Sequence, residues 1–258
     1  MNYLHWNEKT LTDFSEREVT TMYNQGFVFT RIGKGIMHQT RSVRIDLSKF
    51  ELSSENRRIL KKTEGVEISA TDLPLREEYN WSLGKLAKDF YDTKFEPGIM
   101  SAQKIKELLT NKDKSNFNTL LCYRYMVSGQ AGSAESPASR YTIYGITSDT
   151  DKVDPNKIGA DKPTNNPTGF AISYQNTSIL HYSYPFYDLK TTPKDMGLGM
   201  MIRAIQYAKD SKLKYIYLGS FQRPNDTYKL QFEGLEWFDG GPDGSEKWRT
   251  DIDSLKKT

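Results

Sequence analysis

Apolar positions between Ile179 and Phe238 follow two spacings in turn, and together they predict a strand, a helix and a second strand. Residues 179–187 (ILHYSYPFY) and residues 213–221 (LKYIYLGSF) form two apolar and aromatic runs. A right-handed crossover between them would make these strands parallel neighbours. A short helix (DTYKLQFEGL) is predicted to follow. The crossover helix carries apolar residues at the spacing of one face: Met201, Ala204, Ile205 and Ala208.

The pattern before this unit predicts strands and helices that would complete a sheet. Ser15 and the glutamate three residues later have capping-box spacing, which predicts a helix over residues 16–24. The stretches GFVFTRIGKGIM and RSVRIDLSKF alternate and are expected to be strands. Helices are expected after Ser53, over residues 81–91 and after Ser101.

Three further strands are predicted in NTLLCYRYMV, RYTIYGIT and GFAIS, the first two joined as a hairpin. The polar run at 148–168 contains three prolines and has no apolar period, so we expect it to be mobile. Functional loops and plain insertions share this composition. We interpret about 128–168 as an insertion.

Composition narrows the function classes. The chain has 258 residues, of which 36% are apolar, and it contains a single cysteine, Cys122. One cysteine allows no internal disulfide framework and no site built from several thiolates. The three histidines, His5, His38 and His181, are far apart in sequence, so no metal site is predicted. No long apolar run or signal-like N-terminus is present, which predicts a cytoplasmic protein without a membrane partner.

Positive charge is concentrated in one segment. Between Arg31 and Lys62 there are nine basic and three acidic residues, whereas the whole chain carries only +3. A predicted helix places four of the basic residues on one side: Arg57, Arg58, Lys61 and Lys62. Such a face can neutralise phosphates and release counterions, which dominates nucleic-acid affinity. A solvated surface helix would have the same sequence.

The loop before the crossover helix reads KDMGLG and supplies Lys194, Gly197 and Gly199. Small residues at a helix start can leave amide N–H groups uncovered, and these groups attract an anion together with the helix dipole. This order of strand, glycine loop and helix resembles the GNAT acyltransferases, in which a Q/R-x-x-G-x-G/A loop holds the pyrophosphate of acetyl-CoA. Lys194 stands at the usual glutamine or arginine position.

A resemblance over nearly the whole chain points to the arginyl-tRNA-protein transferase family, including its bacterial leucyl-transferring branch. It is carried by YNQGFVFTRIGKGIM, VRIDLSKFELSSENRRILKKT, FEPGIMSAQKIKELL, SILHYSYPFYDL with GLGMM, LKYIYLGSF and RPNDTYKLQFEGLEWF. The resemblance implies a GNAT-like mixed sheet with helices on both faces. It also implies a small N-terminal basic α+β subdomain (1–65) and a transferase domain (66–258).

The implied activity moves an amino acid, of the arginine or leucine class, from aminoacyl-tRNA to the N-terminal α-amine of a protein or peptide, often an acidic one. No cofactor is required, because aminoacyl-tRNA is the co-substrate. The aminoacyl ester is activated already and the amine has a pKa of about 7.7 to 8, so positioning can supply much of the acceleration. No serine or cysteine nucleophile is needed.

The resemblance assigns roles to single residues. Lys194, Gly197 and Gly199 would hold phosphates or ribose of the donor. The basic face would bind tRNA backbone or the acidic side chain of the acceptor. Catalytic candidates are Asp188, Tyr228 and Lys229. Asp188 would orient the amine or bind a cationic aminoacyl side chain. Tyr228 would donate a proton to the ribose hydroxyl, and Lys229 would bind the oxyanion or a carboxylate. Substrate-binding candidates are Tyr187, Tyr217, Gly219 and His181.

Several candidates have a plainer reading. Asp188 has the position of a turn aspartate, and we hold this reading open. Tyr217 and Tyr228 belong to a chain with 16 tyrosines, which are commonly core residues with a wet hydroxyl. His181 fits either a cleft base or a hydrogen-bonded core histidine.

The sequence departs from the family pattern in two places. The family has a cysteine cluster associated with metal or iron–sulfur binding, where this chain reads MHQTRSVRI, so we expect no such cofactor here. A family Pro-Lys-Met is Pro224-Asn225-Asp226 in this chain, which alters the charge near the predicted site.

Three functions follow. The basic segment favours the aminoacyl-tRNA transferase, because a small acetyl donor does not require that charge. The KDMGLG loop supports a CoA-dependent N-acyltransferase, with acetyl-CoA as donor. A non-catalytic module that recognises acidic N-termini is the third.

Overall fold

The computed structural model describes residues 4–125, 167–222, 224–240 and 247–256. The strands are β1 (Asn7–Thr10), β2 (Phe27–Phe29), β3 (Ile36–Gln39), β4 (Ser42–Asp46), β5 (Val66–Asp72), β6 (Thr119–Tyr125), β7 (Gly169–Gln175), β8 (Ile179–Tyr187), β9 (Tyr215–Ser220), β10 (Leu235–Asp239) and β11 (Lys247–Arg249). The helices are α1 (Glu16–Asn24), α2 (Ser54–Lys62), α3 (Trp81–Lys94), α4 (Ala102–Thr110), α5 (Met196–Asp210) and α6 (Ile252–Lys256), with a 3₁₀ helix over Pro224–Gln231.

The strands form two sheets. A small antiparallel sheet has the order β1-β3-β2, and a large sheet has the order β11-β10-β4-β9-β8-β7-β6-β5. Its neighbouring strands are antiparallel except for β8 and β9, which are parallel and joined through α5. The predicted mixed sheet and its strand–helix–strand crossover are therefore confirmed.

Helices cover both faces of the large sheet because its inner strands are apolar on both sides. Leu120 and Cys122 of β6 pack with α1, α3 and α4, whereas Leu121 and Tyr123 pack with α2 and α5. The predicted apolar face of α5 is buried on the sheet, and Ala204 has no exposed surface. Helices on both faces are thus confirmed.

The helix starts follow the capping residues that the sequence offered. The Ser15 hydroxyl accepts from the Glu18 amide at 3.4 Å, and α1 spans the predicted residues. Ser53 and Asn56 cap α2 reciprocally. Side chains of this kind satisfy amide groups that have no partner inside the helix.

The two parts of the chain around residue 65 share one sheet. β4 lies between β10 and β9, and α2 packs with α5. The division at residue 65 stays a prediction. The RYTIYGIT strand and the insertion at about 128–168, but for its last two residues, lie outside the described residues. In the described part of the chain, we find no helix that could cross a membrane.

Candidate functional site

The parallel strands β8 and β9 lie side by side for three residue pairs and then separate. His181 and Tyr217 form the last pair. Beyond it, β8 follows β7 to Tyr187 and β9 follows β4 to Ser220. The ladder between β7 and β8 shifts register between Ile172 and Ser173, which places a bulge in β8 beside the separation. A gap therefore opens at the carboxyl end of the parallel pair, where open α/β sheets bind ligands.

The 3₁₀ helix reaches this gap with Tyr228 and Lys229. The Lys229 ammonium is buried and donates to the Ser220 carbonyl at 2.7 Å. The Tyr228 ring is 43% exposed, and its centroid lies 5.8 Å from the Lys229 Nζ. Gly219 has a φ of +76°, and an added side chain there would meet no described atom within 4 Å. The structure thus brings three predicted site residues together at the end of β9.

His181 and Tyr217 lie deeper than their predicted roles require. The Tyr23 hydroxyl lies 2.8 Å from His181 Nδ1, and His181 is 2% exposed. Burial, with a smaller contribution from the Lys229 charge, lowers the pKa of His181 to about 3. Tyr217 is fully buried, and burial raises its pKa to about 12. Neither residue reaches the surface of the gap, and the core reading is favoured for both.

Asp188 takes the position of a turn residue, which is the plainer of its two predicted roles. Its carboxylate accepts from the Lys190 amide at 2.8 Å and from the Thr191 hydroxyl at 2.8 Å. Both acceptor oxygens are therefore engaged within the turn after β8. Each carboxylate oxygen keeps a second lone pair for a further donor.

The start of α5 differs from the sequence expectation. The helix begins at Met196, so Gly197 and Gly199 lie inside its first turns rather than in the loop before it. The Gly199 amide donates to the Asp195 carbonyl at 2.9 Å, and the Gly197 amide donates to the Tyr187 hydroxyl. The prediction that these glycines leave their amides uncovered is wrong. Their role in holding the donor stays a prediction.

The two glycines allow close packing. A side-chain carbon at Gly199 would lie 2.6 Å from Thr63 Oγ1, and one at Gly197 would lie 3.3 Å from the Tyr187 hydroxyl. Thr63 caps the end of α2, so Gly199 lets α2 approach α5. Burial raises the pKa of Tyr187, which keeps the phenol protonated at neutral pH.

Arg203 ties α2 to α5. Its guanidinium donates to the Thr63 carbonyl at 2.7 Å, to Thr63 Oγ1 at 2.8 Å and to the Val66 carbonyl at 2.6 Å. The Lys62 ammonium also reaches Asp195 Oδ2 at 2.9 Å, directly before α5. Asp195 has a left-handed φ of 71°. The basic end of α2 is therefore fixed beside the start of α5.

The predicted basic face is exposed. Arg57, Arg58, Lys61 and Lys62 all lie at the surface of α2. Arg58 pairs with Glu55 and Lys62 with Asp195, whereas Arg57 and Lys61 make no ion pair with any described residue. Lys194 is exposed beside Asp195. The structure thus places the predicted cationic residues and the α5 start on one side of the molecule.

Other charges of the basic segment are used internally. Arg44 is buried and pairs with Glu236 at 2.8 Å. Its guanidinium carbon lies 3.8 Å from the ring centroids of both Tyr215 and Trp248. The positive charge that this segment exposes to a polyanion is therefore smaller than the count of its basic residues suggests.

Outside the gap and the α2 surface, the described residues offer little nucleophilic or metal-binding chemistry. Burial raises the pKa of the Cys122 thiol to about 12, so it is not a nucleophile at neutral pH. Within the described ranges, no three His, Cys, Asp or Glu residues are arranged to hold a metal ion. A cavity of about 310 Å³ between Phe14 and Tyr174 contains none of the predicted site residues.

Sequence reasoning missed the residues that fix this geometry. Thr63, Asp195 and Arg203 carry no motif of their own. Arg203 did leave a signal, because it follows Gly199 by four residues and is the first charged residue of the helix. A long cation one turn from a small residue suits a contact across two close helices.

The chain is 26% identical over 202 residues to the aspartate/glutamate leucyltransferase of Dinoroseobacter shibae, across 78% of this chain. It spans 60% of the length of that relative. The resemblance to the arginyl-tRNA-protein transferase family is thereby confirmed. No family model matches the chain.

Two solved structures are similar at 10% and 9% identity. The L-PGS of Bacillus licheniformis has a TM-score of 0.44 over 93% of this chain and 68% of its own. The GCN5-related glucosamine N-acetyltransferase region of a fungal multi-domain GH3 β-N-acetylglucosaminidase has a TM-score of 0.42 over 89% and 22%.

Proposed function

We propose that this protein transfers an amino acid from an aminoacyl-tRNA to the N-terminal α-amine of a protein or peptide. The relative from D. shibae is named for leucine transfer to aspartate and glutamate. We carry both features over, with leucine as the transferred residue and an acidic first residue on the acceptor.

One observation carries the proposal: the exposed cationic side of α2 is fixed beside the start of α5. Arg57 and Lys61 extend from α2, and Lys62 holds Asp195 at 2.9 Å. The gap between β8 and β9 opens next to this surface. A surface of this charge suits the phosphates of a long polyanion. The nearby gap would receive the reacting end.

The reaction needs little from the protein. The α-amine nitrogen attacks the ester carbonyl carbon, an amide bond forms and the bond to the ribose oxygen breaks. The amine loses one proton and the ribose oxygen gains one. In this scheme the Tyr228 phenol gives a proton to the ribose oxygen and regains one from the attacking amine, and the Lys229 ammonium stabilises the oxyanion. Positioning of amine and ester contributes the rest.

The test is transfer of radiolabel from a mixture of aminoacyl-tRNAs to peptides that differ only at the first residue. We expect leucine on peptides beginning with Asp or Glu and little on peptides beginning with Ala. Arg57→Gln with Lys61→Gln should reduce transfer. Lys85→Gln with Lys106→Gln removes the same charge from α3 and α4, on the other face of the sheet, and should not.

Two outcomes would contradict the proposal. Retention of acetyl-CoA with acetyl transfer, and no transfer from any aminoacyl-tRNA, would establish the CoA-dependent alternative, which the strand–loop–helix order favours. Binding of acidic peptides without transfer from any donor would establish a recognition module.

A further inference from the structure

The 3₁₀ helix over Pro224–Gln231 brings Tyr228 to the gap, and its last residue, Gln231, holds the Tyr228 backbone. Carbonyl groups at the end of a helix have no partner inside it and need another donor. Gln231 supplies one, because its Nε2 donates to the Tyr228 carbonyl at 2.7 Å. The backbone that carries the Tyr228 phenol is therefore bound to this side chain.

The other end of the Gln231 side-chain amide reaches α2. The Asn56 Nδ2 donates to Gln231 Oε1 at 3.3 Å. Asn56 is fully buried, and its Oδ1 accepts from the Ser53 amide at 3.2 Å, so both ends of its own amide are engaged. The Gln231 amide thus connects the first turn of α2 with Tyr228.

The 3₁₀ helix is attached on two sides. The Lys229 ammonium ties it to the Ser220 carbonyl at the end of β9, which borders the gap. Gln231 ties it to α2 through Asn56, and the residue after Asn56 is the exposed Arg57. Tyr228 is therefore placed between a strand that borders the gap and the helix that carries the exposed cations.

We propose that Gln231 is a positioning residue, which fixes the Tyr228 phenol relative to a donor bound on the exposed face of α2. The inference rests on the proposed function, in which Tyr228 gives a proton to the ribose oxygen. Proton transfer needs a separation of about 2.6–3.2 Å between the two heavy atoms. A misplacement of about 1 Å can cost about 100-fold in rate. One side chain that is hydrogen-bonded to both α2 and the Tyr228 backbone would keep this separation short.

The experiment measures transfer from leucyl-tRNA to a peptide that begins with Asp. The kcat, the KM for leucyl-tRNA and the affinity for tRNA are determined for the wild type, Gln231→Met, Gln231→Glu, Tyr228→Phe and the double variant Gln231→Met with Tyr228→Phe. Gln231→Met keeps the length of the side chain but removes both hydrogen bonds. Gln231→Glu keeps the acceptor for Asn56 and places a carboxylate oxygen against the Tyr228 carbonyl, so it serves if Gln231→Met fails to fold.

Gln175→Met is the matched control. Gln175 is half-buried at the end of β7, beside the start of β8 and away from the gap. Its Oε1 accepts from the Tyr207 hydroxyl at 3.2 Å, so the same substitution also removes a hydrogen bond between two elements. All three parameters of this variant should match those of the wild type.

We expect kcat to fall by about 10- to 100-fold in both Gln231 variants. The KM for leucyl-tRNA and the affinity for tRNA should stay unchanged, because the exposed face of α2 is intact. In the Tyr228→Phe background, Gln231→Met should cause no further fall in kcat, since the group that it positions is already lost.

Three results would overturn the inference. They are an unchanged kcat in both Gln231 variants, a fall in tRNA affinity that accounts for the whole loss of kcat/KM, or an equal fall in kcat with and without the Tyr228 hydroxyl. Each would leave Gln231 with a structural role only. If Tyr228→Phe transfers as fast as the wild type, there is no phenol to position and the inference also fails. If the wild type transfers no amino acid from any aminoacyl-tRNA, the proposed function itself fails.

Discussion

Arg44 and Arg57 belong to the same basic segment of the sequence, yet the fold uses them in opposite ways. Arg44 lies between two aromatic rings and pairs with Glu236 inside the protein. Arg57 extends from α2 at the surface. β4 is buried on both faces from Ser42 to Ile45, so Arg44 lies inside the protein. The apolar side of α2, with Ile59 buried, leaves Arg57 outside.

The difference shows that a local charge count overstates the charge available to a partner. Each buried cation must be matched by a hydrogen-bonded anion. Glu236 supplies that anion from β10, far away in sequence. Substitution of Arg44 or Glu236 should therefore change stability, and substitutions on the exposed face of α2 should change RNA binding.

Arg44→Met is expected to have the largest effect, because it leaves the buried Glu236 with only the exposed Lys49 ammonium, 3.6 Å away, as a cationic partner. We expect a loss of about 3–5 kcal/mol in the free energy of unfolding. Denaturation in urea measures it, with Arg57→Met as the matched control, expected to change stability by less than about 0.5 kcal/mol. Equal effects of the two substitutions would show that the buried Arg44 and the exposed Arg57 contribute alike to stability, which would contradict the comparison.

The pH dependence of stability should report on His181. Its folded pKa is about 3, whereas an unfolded histidine has a pKa of about 6.5. Between these values the unfolded chain binds a proton that the folded protein excludes. The free energy of unfolding should fall as the pH is lowered, by up to about 1.4 kcal/mol per unit from this residue. His181→Gln should flatten that slope, and an unchanged slope would contradict the assigned burial.

Asp195→Asn removes the ion pair with Lys62. Both side chains are partly exposed, so we expect a loss of only about 0.2–1 kcal/mol in stability. RNA affinity should rise, because Lys62 becomes available and a negative charge leaves the α5 start. Asp89→Asn breaks the exposed pair with Lys85 on α3 and is the control. It should leave RNA affinity unchanged; an increase there would point to overall charge instead.

Arg57→Gln with Lys61→Gln should have the smallest effect on stability, below about 0.5 kcal/mol. The plot of log binding constant against log salt concentration for tRNA should become shallower by about 1 for each phosphate that the double variant no longer neutralises. Titration at several salt concentrations measures this slope. An unchanged slope would show that α2 is merely a solvated helix.

Elements with strong local signals could be predicted from the sequence. The spacing of Ser15 and Glu18 fixed the start of α1, and the apolar positions around Ala204 indicated the buried face of α5. The parallel pairing of β8 and β9 followed from the handedness of crossovers. These features depend on contacts near in sequence or on general chirality.

The candidate site was only partly predictable, because its geometry depends on distant contacts. KDMGLG marked the right loop, but Asp195 starts the helix before both glycines, so their small size serves packing against Thr63 and Tyr187. The exposure of α2 was predicted correctly. Its attachment through Arg203 was not, because no sequence pattern connects Thr63 with a residue 140 positions away.

The short parallel ladder sets the depth of the gap between β8 and β9. Only three rungs join β8 to β9 before the strands part. Each further residue pair between the two strands would make the gap shallower by about 3.3 Å, the rise of one strand residue. The bulge in β8 and the positive φ of Gly219 keep the two strands apart on either side of the gap. The depth of the gap is therefore set by the backbone, and the side chains that line it can vary widely.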